Sequence, residues 1–327
     1  AVGGKVLACG RDPYFPAWPD VLQLNAFDPG LRSAAVETVR EIADQCDGVR
    51  CDMAMLMMSD VFERTWGPRA GARPAEDYWP TLIPAVRSRH PEFRFLAEAY
   101  WDLEWALQQQ GFDYCYDKRL YDRLAHGDAA GVHRHLQADV AFQDRLVRFI
   151  ENHDEPRAAA TFSAPRDRAA AVASLTLAGA RLLHEGQLEG RRVQVSVFLG
   201  DRPHEPVDAA LAAFYRRLLD ATRHRAFRHG TWRLCEARGS PDHPGHPPML
   251  AWSWEEDGER FLIAVNLSDR PARAIVQLPW GEPQGNSRHL VDALSGGMSD
   301  RGDDGLRDGG LAVALEPWGF RILQVRH

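Results

Sequence analysis

Cysteine is scarce in this 327-residue sequence, which contains five cysteines and no Cys-x-x-Cys pair. The odd number and the missing close pair argue against a disulfide framework and against a cysteine-based zinc site. Residues 1–4, Ala-Val-Gly-Gly, also lack the basic start and apolar stretch of a signal peptide. Reduced thiols in a cytoplasmic protein are therefore the simplest interpretation, and the cytoplasm is the predicted location.

Long apolar runs and dense blocks of basic residues are also missing from the sequence. No stretch approaches the length of a transmembrane helix, so no membrane partner is expected. The formal net charge of -7 argues against binding DNA or RNA, because nucleic-acid-binding proteins present a basic face to the phosphates. A neutral substrate such as a sugar is compatible with this charge. The ten tryptophans could stack on pyranose rings, although ordinary packing is expected for most of them.

Short apolar runs alternate with helical patterns up to about residue 228. This alternation predicts parallel βα units joined by right-handed crossovers. From about residue 229 the apolar residues recur with a period of two, which predicts antiparallel strands. We therefore expect a loop-rich segment over residues 1–30, an α/β region over residues 31–228 and an all-β domain over residues 229–327. The strand-like runs of the α/β region cover residues 49–53, 93–98, 112–116, 149–152 and 181–184.

Acidic residues follow three of the predicted parallel strands, namely Asp52, Glu98 and Asp154. The carboxyl ends of the strands of a parallel barrel converge on one face, where the active sites of such barrels lie. Three carboxylates there suit glycoside cleavage, with one nucleophile, one proton donor and one group that holds sugar hydroxyls. Crowded like charges also raise at least one pKa, which keeps the acid protonated near neutral pH. On position alone, such acids could equally be helix caps or ion-pair partners.

The segments around these acids resemble the motifs of the α-amylase family, glycoside hydrolase family thirteen. Residues 48–52, Gly-Val-Arg-Cys-Asp, resemble the family's nucleophile strand, in which an Arg precedes the Asp by two positions. Residues 95–101, Phe-Leu-Ala-Glu-Ala-Tyr-Trp, resemble its acid/base strand, and residues 149–154, Phe-Ile-Glu-Asn-His-Asp, the segment with its third carboxylate. Residues 183–187, Leu-His-Glu-Gly-Gln, are similar to the end of its eighth strand. These segments occur in the family's order, and the resemblance covers nearly the whole chain.

The resemblance implies a fold and a set of residue roles. The implied fold is the later part of a (β/α)8 TIM barrel, followed by a C-terminal antiparallel β-sandwich. Asp52 is expected to be the nucleophile, Glu98 the acid/base and Asp154 the third carboxylate. Alternation along a strand places Arg50 on the same face as Asp52, where it can keep that carboxylate ionised. Substrate-binding roles are expected for Arg50, Tyr100, Trp101, His153 and Gln187.

The activity implied is that of a retaining α-glycosidase acting on α-linked glucans or maltooligosaccharides through a covalent glycosyl-Asp intermediate. A transglycosylase of the same family is one alternative, because the residues do not decide whether water or a sugar accepts the glycosyl group. A truncated, non-catalytic chain that binds a glycan or a partner protein is another.

Two departures from the family pattern shape these expectations. The family's earlier Asp-x-x-x-Asn-His signature does not occur in residues 1–47, so about three N-terminal barrel strands are expected to be absent from this chain. The Lys-His pair that follows the nucleophile in many family members is replaced by Met55 and Leu56. Since that segment helps to hold calcium in the family, no metal site and no cofactor are predicted for this chain; calcium stays an alternative that the sequence does not support.

Overall fold

The structure, a computed structural model, describes residues 4, 6–196, 200–239, 248–280, 289–299, 306–307 and 310–326. The chain divides into two compact units, Ala1–Asp117 and Lys118–His327, named below the N-terminal and the C-terminal unit. Among the described residues, no helix is both long and apolar enough to cross a membrane.

The N-terminal unit contains an antiparallel pair of strands, three parallel strands and several helices. The antiparallel pair is β1 (Cys9–Gly10) and β2 (Trp18–Leu22), and the parallel strands are β3 (Gly48–Cys51), β4 (Arg94–Ala97) and β5 (Tyr114–Tyr116). Its helices are α1 (Pro29–Ala43), α2 (Ser59–Trp66), α3 (Tyr78–Arg87) and α4 (Glu104–Gln109), and 3-10 turns cover Ala54–Met57 and Gly67–Ala70. Asp28 caps α1, since its side chain accepts a hydrogen bond from the Leu31 N–H at 2.8 Å.

The register of the parallel strands fixes where the acids of this unit lie. Strand β4 pairs with β3 on one side and with β5 on the other, and Val49 is the partner of Phe95. Gly48 begins β3, where an added Cβ would lie only 2.7 Å from the Arg94 carbonyl oxygen. Since parallel strands end at the same edge of their sheet, Asp52 and Glu98 leave β3 and β4 side by side.

The C-terminal unit combines helices, two parallel strands and two antiparallel sheets. Its helices are α5 (Lys118–His126), α6 (Ala129–Leu136), α7 (Val140–Gln143), α8 (Ala158–Thr161), α9 (Ala164–Thr176), α10 (Ala209–Ala221) and α11 (Ala226–His229). The parallel strands β6 (Leu146–Arg148) and β7 (Ala180–Arg181) pair through Val147 and Ala180. Gly179 precedes β7 with a φ of +106°, and a Cβ there would lie 2.3 Å from the Leu146 carbonyl oxygen. Glycine therefore allows the two strands to approach.

The antiparallel part forms two sheets in the described residues. Their strands are β8 (Thr231–Cys235), β9 (Ala237–Gly239), β10 (Met249–Glu256), β11 (Glu259–Asn266), β12 (Ala272–Gln277), β13 (His289–Asp292), β14 (Met298–Ser299), β15 (Leu306–Arg307), β16 (Gly310–Leu315) and β17 (Phe320–Arg326). One sheet has the order β14-β13-β17-β11-β10-β8, and the other has the order β15-β16-β12-β9. Apolar side chains from these strands join those of α9 and α10 in buried clusters, which hold the C-terminal unit together.

Two tryptophans of β10 bind the end of α9. Trp252 is fully buried, and its indole N–H donates to the Thr176 carbonyl oxygen at 3.1 Å. Trp254 donates to the same oxygen at 2.7 Å. Both lone pairs of the Thr176 carbonyl oxygen therefore accept hydrogen bonds. Side chains thus supply the donors that this buried helix end lacks within the helix.

Replacing Trp252 by Phe is expected to lower the free energy of unfolding by about 2–3 kcal/mol, because the smaller ring leaves a cavity and its N–H bond is lost. Urea denaturation measures the change. Trp105→Phe is the matched control, since Trp105 is 53% exposed and its replacement should change stability by at most about 0.5 kcal/mol. Equal losses in the two variants would contradict the role assigned to Trp252.

The structure confirms the α/β class and the antiparallel part that follows it, with local differences. Residues 9–22 contain the β1–β2 pair, whereas the sequence predicted loop. Strand β6 covers Leu146–Arg148 instead of residues 149–152, because Arg148 is fully buried and donates from its Nε to the Ala178 carbonyl oxygen at 2.9 Å. The closed eight-stranded barrel, the absence of N-terminal strands and the domain limits at residues 30 and 228 stay predictions.

Candidate active site

Arg50 joins two of the predicted catalytic carboxylates in the N-terminal unit. Its Nη1 contacts Asp52 Oδ1, and its Nη2 lies 2.9 Å from Glu98 Oε1. Arg50 and Asp52 are two positions apart at the end of β3, so their side chains share one face. A single guanidinium thus holds an oxygen of each acid, an arrangement that its planar fork of donors favours.

Glu98 is the buried member of this group, whereas Asp52 is open to solvent. The Glu98 side chain is 3% exposed and that of Asp52 is 79% exposed. Glu98 Oε2 accepts a hydrogen bond from the Met53 N–H at 2.6 Å, and Oε1 accepts one from the Tyr100 hydroxyl at 3.0 Å. The two acids therefore have different environments, as the division into a proton donor and a nucleophile requires.

The pKa of Glu98 is raised above its ordinary value. Burial is the largest cause, and the negative charge of Asp52 acts in the same direction. The Met53 N–H, the Arg50 guanidinium and the Tyr100 hydroxyl oppose the shift. Burial alone would lower the pKa of Arg50, but Glu98, Asp52 and Tyr116 outweigh it and raise that pKa. Arg50 thus stays charged while Glu98 keeps its proton to higher pH than an exposed glutamate.

Left-handed backbone follows both acids of the N-terminal unit. Met53, whose N–H donates to Glu98 Oε2, has a φ of 42°. Trp101 and Asp102 have φ values of 64° and 60°. Trp101 is half-buried, and its ring meets that of Tyr14 edge to face with a centroid separation of 4.8 Å. Non-glycine residues adopt such conformations at a cost of about 1–3 kcal/mol each, so the surrounding contacts must fix these two turns.

The C-terminal unit presents His153 and Asp154 on a tight turn after β6. His153 Nε2 lies 3.1 Å from Asp154 Oδ2, and both side chains are nearly half exposed. Asn152 is buried, and its Oδ1 accepts hydrogen bonds from the backbone N–H groups of Asp154 and Glu155 at 2.9 and 2.8 Å. This side-chain turn fixes the backbone on which the third predicted carboxylate stands.

A buried polar cluster beneath this turn was not found from the sequence. Glu151 is 1% exposed, and its Oε1 lies 3.1 Å from Arg157 Nη1 and 3.2 Å from His184 Nδ1. Its Oε2 accepts a hydrogen bond from the Ala158 N–H at 2.7 Å. Arg157 Nη2 donates to the Glu185 carbonyl oxygen at 2.7 Å. The available signal was a carboxylate inside the apolar run that begins at Phe149, since buried acids need partners.

Gln187, one of the predicted substrate-binding residues, forms hydrogen bonds with other residues of this chain. Its side chain is buried, its Oε1 accepts from the His184 N–H at 3.2 Å, and its Nε2 donates to the Tyr215 hydroxyl at 3.0 Å. The Tyr215 hydroxyl in turn donates a hydrogen bond to Asp167 Oδ1 at 3.4 Å. A direct contact between Gln187 and substrate stays a prediction, whereas support of the His184 backbone is observed.

Glu151 makes the stability of the fold depend on pH. Burial is the largest cause that raises its pKa, from 4.5 to about 7, against the opposing effects of the Ala158 N–H and Arg157. The folded state therefore binds a proton that the unfolded state releases. The contribution of this group is complete below about pH 4.5 and is lost as the pH rises through about 7, by roughly 3 kcal/mol.

The free energy of unfolding of the unsubstituted chain is thus expected to fall, relative to Glu151→Gln, between pH 4.5 and pH 7.5. Denaturant titrations at several pH values measure this difference. Asp167, whose pKa burial raises to about 6, titrates in both proteins, so only its interaction with Glu151, which raises the pKa of Glu151, differs between them. Glu316→Gln, at an exposed position of the same unit, should show no such divergence. A constant difference between the unsubstituted chain and Glu151→Gln would contradict the assignment.

Among the residues that the structure describes, no group of three or more His, Cys, Asp or Glu side chains is placed to hold a metal ion. The two residues that replace the family's Lys-His pair belong to the 3-10 turn after Asp52. Met55 is fully buried and Leu56 is half-buried. The prediction that this chain uses no cofactor stays untested.

The fold is similar to that of solved α-amylases and of a debranching enzyme. A maltogenic α-amylase, AmyB, from Thermotoga neapolitana superposes with a TM-score of 0.71 over 95% of this chain and 69% of that chain, at 18% sequence identity. The Nostoc punctiforme debranching enzyme gives a TM-score of 0.68 over 98% of this chain and 68% of that chain, at 16% identity. At such identities the likeness is one of fold.

Sequence comparison leads to the same class. The α-amylase MalA of Haloarcula japonica is 29% identical over 304 residues, which is 89% of this chain and 41% of MalA. The chain thus spans less than half the length of that curated relative. No family model matches the sequence. Together with the structural likeness, the similarity to MalA confirms the resemblance to α-amylases that the motifs predicted.

Proposed function

We propose that the chain carries the catalytic machinery of a retaining glycoside hydrolase that cleaves α-linked glucans or maltooligosaccharides. The observation that carries the proposal is the Arg50 guanidinium shared by Asp52 and Glu98, one exposed acid and one buried acid with a raised pKa. The names of the relatives, α-amylases and a debranching enzyme, support an α-linked glucan as the substrate class. The proposal includes a closed (β/α)8 barrel as the framework, in keeping with the parallel strands of both units.

In the proposed first step, Asp52 attacks the anomeric carbon and forms a covalent bond to the sugar while the glycosidic C–O bond breaks. The Asp52 carboxylate contacts Arg50 and is accessible to the sugar at 79% exposure. Glu98 gives its proton to the departing oxygen, which leaves as a hydroxyl. The raised pKa of Glu98 keeps that proton available near neutral pH.

In the second step, Glu98 accepts a proton from water as the water oxygen attacks the anomeric carbon and releases Asp52. Two inversions give net retention of the α configuration. Asp154 and His153 are proposed to hold hydroxyls of the reacting sugar, because both are half exposed on a turn that Asn152 fixes. Tyr100 and Trp101 are proposed to contact the sugar next to Glu98.

A proton NMR time course of maltoheptaose with the 327-residue chain tests this function. The expected result is early release of products in the α configuration, which later equilibrate to the anomeric mixture. Products that appear first in the β configuration would show inversion and would contradict Asp52 as the nucleophile. An unchanged spectrum with a folded chain would remove the hydrolase proposal, and growth of oligosaccharides longer than maltoheptaose would favour transfer to sugar over transfer to water.

A further inference from the structure

The imidazole of His184 lies against two buried charged groups in the C-terminal unit. Its Nδ1 is 2.6 Å from Arg157 Nη1 and 3.2 Å from Glu151 Oε1. The Arg157 and Glu151 side chains are 5% and 1% exposed, whereas that of His184 is 28% exposed. The ring is thus anchored on its Nδ1 side, and part of its surface remains accessible.

The contact with Arg157 decides which ring nitrogen carries the proton. A guanidinium has five N–H donors and no acceptor, so a separation of 2.6 Å requires Nδ1 to accept. The same Arg157 Nη1 lies 3.1 Å from Glu151 Oε1, and its two hydrogens can therefore serve the imidazole and the carboxylate together. Glu151 is further satisfied by the Ala158 N–H and does not need a proton from His184. A neutral ring whose Nδ1 accepts has its hydrogen on Nε2.

We propose that Arg157 and Glu151 hold His184 as the neutral Nε2–H tautomer, and that His184 donates a hydrogen bond from Nε2 to a hydroxyl group of the glycan. The second part rests on the proposed function. His184 is then a substrate-contacting residue beyond the predicted set, and Arg157 and Glu151 are its positioning residues.

Three observations in the same unit support this role. Burial, Arg157 and His153 all lower the pKa of His184, so the ring stays neutral at the pH where an amylase-like site would work. His184 also contacts Glu151, which precedes His153 by two positions, so the ring lies near the turn that carries His153 and Asp154. Gln187 Oε1 accepts a hydrogen bond from the His184 backbone N–H at 3.2 Å, which holds the backbone of His184 in place. A donor prepared in this way loses little freedom on binding.

The tautomer is tested without substrate by long-range proton–nitrogen NMR correlations of the histidine rings, assigned by comparison with His184→Gln. The expected pattern for His184 is that of a neutral ring protonated on Nε2. The Arg157→Gln variant should change this pattern toward a mixture, since the obligatory donor to Nδ1 is removed. An Nδ1–H pattern in the unsubstituted chain would overturn the inference, whether or not the chain is active.

Kinetics on maltoheptaose test the contact with the glycan. His184→Leu should lower kcat/KM by about 10-fold or more, because a hydrogen bond to the substrate is lost. His184→Gln retains a side-chain N–H donor and should recover most of that loss. His229→Leu, at an exposed position of α11, is the matched control and should change kcat/KM by less than about 2-fold. If His184→Leu stays within the range of that control, His184 does not contact the substrate.

Failure of the proposed function gives a different result. A folded but inactive chain would count against hydrolysis. The contact between His184 and the glycan is then tested by NMR titration with maltoheptaose. Maltoheptaose added to the inactive chain should shift the His184 Nε2 signal and leave the His229 signals unchanged. Absence of that shift at saturating sugar would overturn the contact, and an Nε2–H tautomer would stand as a separate result.

Discussion

Replacing Glu98 by Gln is expected to lower kcat/KM for maltoheptaose by about 1,000-fold, because the sugar leaving group then departs without a proton. Gln has the shape of Glu, and its single carbonyl oxygen can still accept one of the two hydrogen bonds, from the Met53 N–H or from the Tyr100 hydroxyl. The fold should therefore persist, and the loss should be one of chemistry. Initial rates with reducing-end detection measure the effect.

Activated substrates separate the two duties of Glu98. An α-maltosyl fluoride needs no proton on its leaving group, so the Glu98→Gln variant should still form the glycosyl-Asp52 intermediate. Breakdown of that intermediate by water should remain slow, since water needs a base. Azide, a nucleophile that needs no base, should restore turnover and give an α-glycosyl azide.

Two variants act as controls for this experiment. Asp52→Asn should lose activity on the fluoride as well and should not respond to azide, because no covalent intermediate can form. Glu92→Gln should behave like the unsubstituted chain, since Glu92 is 90% exposed and pairs only loosely with Arg94 at 3.4 Å. A Glu98→Gln variant with more than a tenth of the original activity on maltoheptaose would rule out Glu98 as the acid/base.

Replacing Arg50 by Gln is expected to lower kcat by about 100-fold or more and to move the pH profile of kcat/KM to higher pH. Arg50 lowers the pKa of Glu98, so its removal raises that pKa further, and the alkaline limb, where the acid loses its proton, moves up. The alkaline limb is therefore the part of the profile that should move, because Arg50 Nη2 lies 2.9 Å from Glu98 Oε1.

Arg73→Gln is the matched control for Arg50→Gln. Arg73 also contacts two carboxylates, Asp60 at 2.6 Å and Glu63 at 3.1 Å, but it lies on the surface with 42% exposure. Its loss should leave both limbs in place. Arg50→Lys keeps the charge without the planar fork, so we expect limbs close to the original positions with a reduced kcat. A profile of Arg50→Gln that falls in height without moving would show that Arg50 only positions the acids.

The sequence by itself determined the order of elements and the acids at the strand ends. Apolar runs that alternate with helical patterns predict parallel βα units, and a period of two predicts antiparallel strands, because these periods follow from backbone geometry alone. The pairing of Arg50 with Asp52 followed from strand alternation in the same way. The motifs around Asp52, Glu98 and Asp154 then indicated the α-amylase resemblance.

Only the tertiary structure decided which groups surround those acids. Burial of Glu98, the left-handed turn at Met53 and the contacts of Glu151, Arg157 and His184 depend on residues that lie far apart in the sequence. His184 and Glu151 are 33 positions apart, yet they share a contact of 3.2 Å. A pKa or a tautomer is set by neighbours and by the loss of water, and both arise only when the chain has folded.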